Sequence, residues 1–70
     1  MMPLVFADVE KEVVIQKIGG SPQTKKHLEN LGFIVGGTAT VLTTIDGNLI
    51  VKVKEARVAI NNDMAMKIMI

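Results

Sequence analysis

The sequence has no cysteine, no tryptophan and no tyrosine, and only two phenylalanines. Without thiols there are no disulfide staples, no thiolate metal sites and no cysteine nucleophile, and a reducing compartment is the natural setting. Without an aromatic platform there is nothing to stack unpaired bases on, and no aromatic-lined groove for proline-rich peptides. No apolar run approaches the ~20 residues of a membrane-spanning helix, so direct membrane insertion is not expected. The opening Met1-Met2-Pro3-Leu4-Val5-Phe6-Ala7 carries no basic residue and meets Asp8 and Glu10 almost at once, unlike a secretory leader. The cytoplasm is therefore the expected location. A one-sided charge is missing too. Eight Lys/Arg against seven Asp/Glu leave a net +1, too even to predict nucleic-acid binding from electrostatics.

What the chain does have is aliphatic bulk. Its 70 residues are 49% hydrophobic, enough for one domain, with no repeat, linker or low-complexity stretch. Ordering costs roughly 1.5 kcal/mol per residue, so aliphatic packing must carry a small and marginal core.

Glu12 to Ile18 (EVVIQKI) reads as a first strand, because Val13, Val14 and Ile15 are adjacent and β-branched and Gly19-Gly20 follow. Ser21 and Pro22 then signal a helix start: a hydroxyl to cap it and a ring that suits its first position. Thr24, Leu28 and Leu31 recur on one face, and Gly32 suits the left-handed residue that ends a helix. The prediction is a helix over 22–31, with Phe33 touching Leu28 in a Schellman cap. After Gly36-Gly37, Thr38–Ile45 and Leu49–Lys54 flank Asp46-Gly47-Asn48 and form a hairpin. Leu49, Val51 and Val53 alternate with Ile50, Lys52 and Lys54. Setting Ala39, Val41 and Ile45 on the inner face with them requires Ile45 opposite Leu49, hence a three-residue turn closed by a left-handed Asn48.

Arg57–Ile60 gives a fourth strand. Asn62 and Asp63 can cap a helical turn near 63–66, and Lys67–Ile70 closes the chain as a strand with Ile68 and Ile70 inward. Five short strands bury their apolar faces best by curling into a small, partly open barrel with the helix on one side or end.

Candidate chemistry is sparse. His27, the single histidine, could be a base or a metal ligand, but it has no evident partner, and a solvated helix residue is the simpler role. Asp8, Glu10 and Glu12 alternate and could offer oxygens to a hard cation, or merely solvate the chain ahead of the first strand. Gly19-Gly20-Ser21-Pro22 precedes a helix amino terminus, where anions are favoured, yet lacks the lysine and spacing of a P-loop. Lys52 and Lys54, with Lys17 and Arg57 near, could touch phosphates or guard a strand against edge pairing. Leu42, Ile50 and Met69 point outward on this register, and Val14 joins them; clustered, they would make a partner surface. No base–nucleophile pair is visible, so no enzyme is expected.

Taken in order, these residues resemble the FeoA family, small accessory proteins of bacterial ferrous iron transport. The resemblance rests on Leu28-Glu29-Asn30-Leu31-Gly32-Phe33-Ile34-Val35-Gly36, on the Val-rich hairpin with Arg57-Val58-Ala59-Ile60, and on Ala65-Met66-Lys67-Ile68-Met69-Ile70. It covers essentially the whole chain. Glu10 and Glu55 stand where the family commonly has glycine, Val35 where proline is usual, and His27 where a basic residue precedes the leucine. The resemblance implies an SH3-like barrel that docks on the cytosolic part of a FeoB-type membrane transporter, with Fe(II) as the transporter's cargo and no cofactor of its own. A partner surface would then draw on Lys25, Lys26 and His27 of the helix and on Leu42, Ile50, Lys52 and Met69 of the strands; weak self-association stays open. The same domain resembles the carboxyl-terminal module of DtxR-type repressors. The second implied role is therefore a metal-responsive domain binding a divalent ion through Asp8, Glu10, Glu12 or His27.

Overall fold

A computed structural model describes residues 1–70. The helix forms where its local signals place it. α1 spans Pro22–Leu31, with Ser21 extended before it and its hydroxyl oxygen accepting the Thr24 N–H at 3.2 Å. At the other end Gly32 is left-handed (φ 111°). Its N–H donates to the Glu29 carbonyl, and the Phe33 N–H donates to that of Leu28, both at 2.9 Å. Those two bonds define the Schellman cap, and Leu28 and Phe33 are both fully buried. Thr24, Leu28 and Leu31 are the helix positions withdrawn from solvent, Leu28 completely and the other two in part.

The strands form a mainly β, SH3-like architecture in two sheets. β1 (Glu12–Val14), β3 (Thr38–Ile45), β4 (Asn48–Val53) and β5 (Ala56–Asn61) make a four-stranded antiparallel sheet in the order β1-β3-β4-β5. β2 (Lys17–Ile18) pairs with β6 (Ile68–Met69) in a second sheet, extended by a bridge from Pro3 to Met69. The continuous strand expected over 12–18 is thus two strands, and the molecule has six. The break is at Ile15 and Gln16. Ile15 donates to Gly37 on one side, while Gln16 donates to Met69 on the other (2.8 and 2.7 Å). The chain crosses from one sheet to the next there and buries Ile15 in the corner.

The hairpin departs from its expected register. Ile45 faces Asn48, not Leu49, across a two-residue turn in which Asp46 and Gly47 are both left-handed (φ 47° and 81°). That is the turn Asp-Gly favours, because its twist matches the strands. Asn48 is an ordinary strand residue. The face problem of a two-residue turn is solved upstream: the register shifts between Val41 and Thr43, so Leu42 is an extra, bulged residue. Val41 and Ala39 stay buried beside Val51 and Val53, while Ile45, expected inside, is 54% exposed.

The other elements close the core. β5 leads directly into α2 (Asn62–Ala65), which is capped by the Asn61 side chain accepting the Met64 N–H at 2.8 Å, rather than by Asn62 or Asp63. The Asn62 N–H also donates to the Gly47 carbonyl, tying α2 to the hairpin turn. Near the amino terminus Leu4–Phe6 form a 3₁₀ turn that buries Leu4 completely. The sequence reading gave Leu4 no such role. Ala65 and Ile68 are fully buried with it, Ile70 partly.

Candidate partner surface

Twelve side chains are buried, all of them apolar. No polar group is enclosed, so whatever the domain recognises must be met at its surface.

The surface residues singled out from the sequence fall into three places. Lys25, Lys26 and His27 are exposed on α1. Met69 is half-buried on β6, paired with Lys17. Leu42, Ile50 and Lys52 belong to the four-stranded sheet; Lys52 is exposed, but Leu42 and Ile50 are each half-buried.

One of these places is concave. A groove of about 550 Å³ opens beside α1. Its apolar lining is Ile18, Phe33, Ile34 and Val35. Gln16 lines it as well, together with two cations, Lys17 and Lys25, and one carboxylate, Glu29. The local sequence explains the shape. The Schellman cap turns the chain sharply so that Phe33 plunges into the core. Gly36 (φ 89°) and the Gly37 N–H donating back to the Ile34 carbonyl at 3.0 Å then hold the next turn. Ile34 and Val35 are stranded between these two fixed points, 39% and 63% exposed. Sequence reasoning did not assign them to a surface. The available signal was two adjacent apolar residues in a short connection, outside any helical or strand period. A second hollow of about 370 Å³ shares Lys17 and adds Met1, Gly19, Met66, Lys67 and Met69.

The acidic and histidine candidates do not converge. Asp8 and Glu10 lie between the 3₁₀ turn and β1, Glu12 on β1 and His27 on α1. No three His, Asp or Glu side chains gather closely enough to hold an ion. Glu10 has a different peculiarity: it is left-handed, φ 66°, the conformation glycine takes without cost. In the β4–β5 turn the left-handed residue is Lys54 (φ 56°), not its neighbour Glu55. No helix is long and apolar enough to cross a membrane.

Comparison with known proteins gives a consistent result. The family model of the FeoA domain matches residues 2–70. A protein of Methanocaldococcus jannaschii described as "Putative Fe(2+) transport protein A" is 33% identical over 70 residues, covering all of this chain and 85% of its own length. Among solved structures, an iron uptake regulatory protein (FeoA) superposes with a TM-score of 0.87 at 25% identity, over 96% of this chain and 89% of that one. A manganese-dependent transcriptional repressor (TM-score 0.85, 19% identity) shares the fold over 94% of this chain and 38% of its own. So does ScaR with bound Zn²⁺ (TM-score 0.85, 18% identity), over 97% and 35%. The chain therefore spans little more than a third of either of these last two proteins.

Proposed function

The chain belongs to the FeoA family, and from that footing we propose that it serves ferrous iron uptake by docking on the cytosolic part of a FeoB-type membrane transporter. Fe(II) is the transporter's cargo in this reading, and the domain acts by contact, with no cofactor and no catalytic step of its own. The observation that carries it is the groove beside α1. The core is closed over Leu28 and Phe33 of the helix cap, yet Ile34 and Val35 stand in solvent at a ligand-sized depression. Apolar anchors in a concave site, edged by charges that fix orientation, are how small domains hold partner segments.

The test is recovery of the transporter from native membranes with the tagged chain as bait. The wild-type chain retains the transporter, and Val35→Asp lowers recovery at least tenfold while leaving thermal unfolding unchanged, because the position is exposed. Equal recovery by the variant overturns the groove as the docking site. Failure of the wild-type chain to retain the transporter overturns the transporter as partner.

A further inference from the structure

The outer edge of the four-stranded sheet has no strand beside it. β5 pairs only with β4, so its far side is open. The two-residue turn at Lys54-Glu55 makes Val53–Ala56 a hydrogen-bonded pair; by alternation Val51–Val58 and Leu49–Ile60 are hydrogen-bonded too. The backbone groups of Arg57 and Ala59 therefore point away from β4. Both residues are exposed, and neither takes part in a backbone bond to a turn or loop. Two N–H and two C=O groups in line are a template for another strand.

The side chains on that edge specify what the strand must look like. Across the outer face one row runs Glu12, Thr40, Lys52, Arg57. Lys52 and Arg57 are directly opposite as a non-hydrogen-bonded pair, the arrangement that brings side chains closest, and like charges so placed repel. The row's one carboxylate lies two strands from Lys52, about 10 Å at ordinary strand spacing. On the other face Val58 is half-buried, with apolar surface left uncovered at the sheet's margin. A strand added beside β5 would place a side chain next to Arg57 in the row, and its neighbours over Val58.

We propose that the β5 edge accepts an extended protein segment in which acidic residues alternate with apolar ones, acidic side chains continuing the Lys52–Arg57 row and apolar ones covering Val58. Charge complementarity selects this occupant over a second copy of the chain. Two β5 edges paired about Arg57 or Val58 would set arginine opposite or diagonal to arginine, and paired about Ala59 they would set Arg57 opposite Asn61, with no carboxylate to meet it. It also selects it over single-stranded nucleic acid, since this face offers no aromatic ring on which bases stack.

The experiment is amide-resolved NMR titration of the full chain with the capped heptapeptide TVEVEVT, its counterpart TVKVKVT, and an oligothymidylate. The acidic peptide is expected to shift the Arg57 and Ala59 amides and slow their hydrogen exchange, with at least fivefold preference over the lysine peptide. A folded double variant, Lys52→Glu with Arg57→Glu, inverts that preference; should it fail to fold, Arg57→Gln must lower affinity for the acidic peptide at least threefold. The proposal is overturned by an undisturbed edge, by equal binding of the two peptides, by an unchanged preference in the charge-reversed chain, by wild-type affinity in Arg57→Gln, or by an oligothymidylate response matching that of the acidic peptide.

Discussion

α1 and the β3–β4 hairpin are organised on opposite principles. Every instruction for α1 lies within its own neighbourhood: Ser21 before it, Gly32 after it, and Leu28 on the face between. The hairpin's instructions conflict locally and are reconciled at a distance. Asp46-Gly47 demands a two-residue turn, whereas the inward side chains of β3 and β4 demand the opposite parity. The chain satisfies both by inserting Leu42 as a bulge three residues before the strand ends. Local rules suffice where each one points the same way. Where two disagree, the fold adds a feature that neither rule contains.

Substitutions can press on each side of that contrast. The largest effect belongs to the helix's buried anchor. Leu28→Ala should cost about 2–5 kcal/mol, a large share of the stability available to so small a domain, and chemical denaturation reads it directly. Gly32→Ala forces a side chain into the left-handed region and should cost about 1–2 kcal/mol; a change under a few tenths would show that the cap relaxes freely. Deleting Leu42 is the reciprocal test on the hairpin. The register on both sides of the bulge is preserved without it, so the domain should stay folded and lose only about 1 kcal/mol, that of a half-buried leucine. Loss of cooperative unfolding in that deletion would mean the bulge is structural in its own right. Glu10→Gly should gain about 0.5–1 kcal/mol by relieving a left-handed glutamate, visible as a rise in Tm.

The sequence was most readable where residue type and backbone geometry are tied one to one. Helix limits, the Schellman contact and the inward faces of Val51 and Val53 follow from that coupling. Glu10 was also legible as a misfit, since glycine is usual there in the resembling family, and its positive φ supplies the reason. The break at Ile15 was not legible, because β-branched residues favour a strand without saying which sheet it belongs to; only the Gly37 and Met69 carbonyls decide that. Leu4 was hidden for a related reason. A lone leucine in a short apolar stretch has no period, and the turn that carries it packs against α2, far along the chain. The candidate surface was the least readable of all. Ile34 and Val35 became conspicuous only after the cap and the Gly36 turn had fixed their surroundings, whereas Leu42 and Ile50, outward by alternation, turned out half-covered.

Under the proposed function, partner recognition lies in the groove beside α1. The most direct measurement is methyl-resolved NMR of the chain titrated with the purified cytosolic portion of the transporter. Binding should broaden or shift the methyl signals of Ile18, Ile34 and Val35 while those of the buried Val51 and Leu49 stay in place. Perturbation confined to other surfaces, with these three methyl groups silent at saturation, would contradict it.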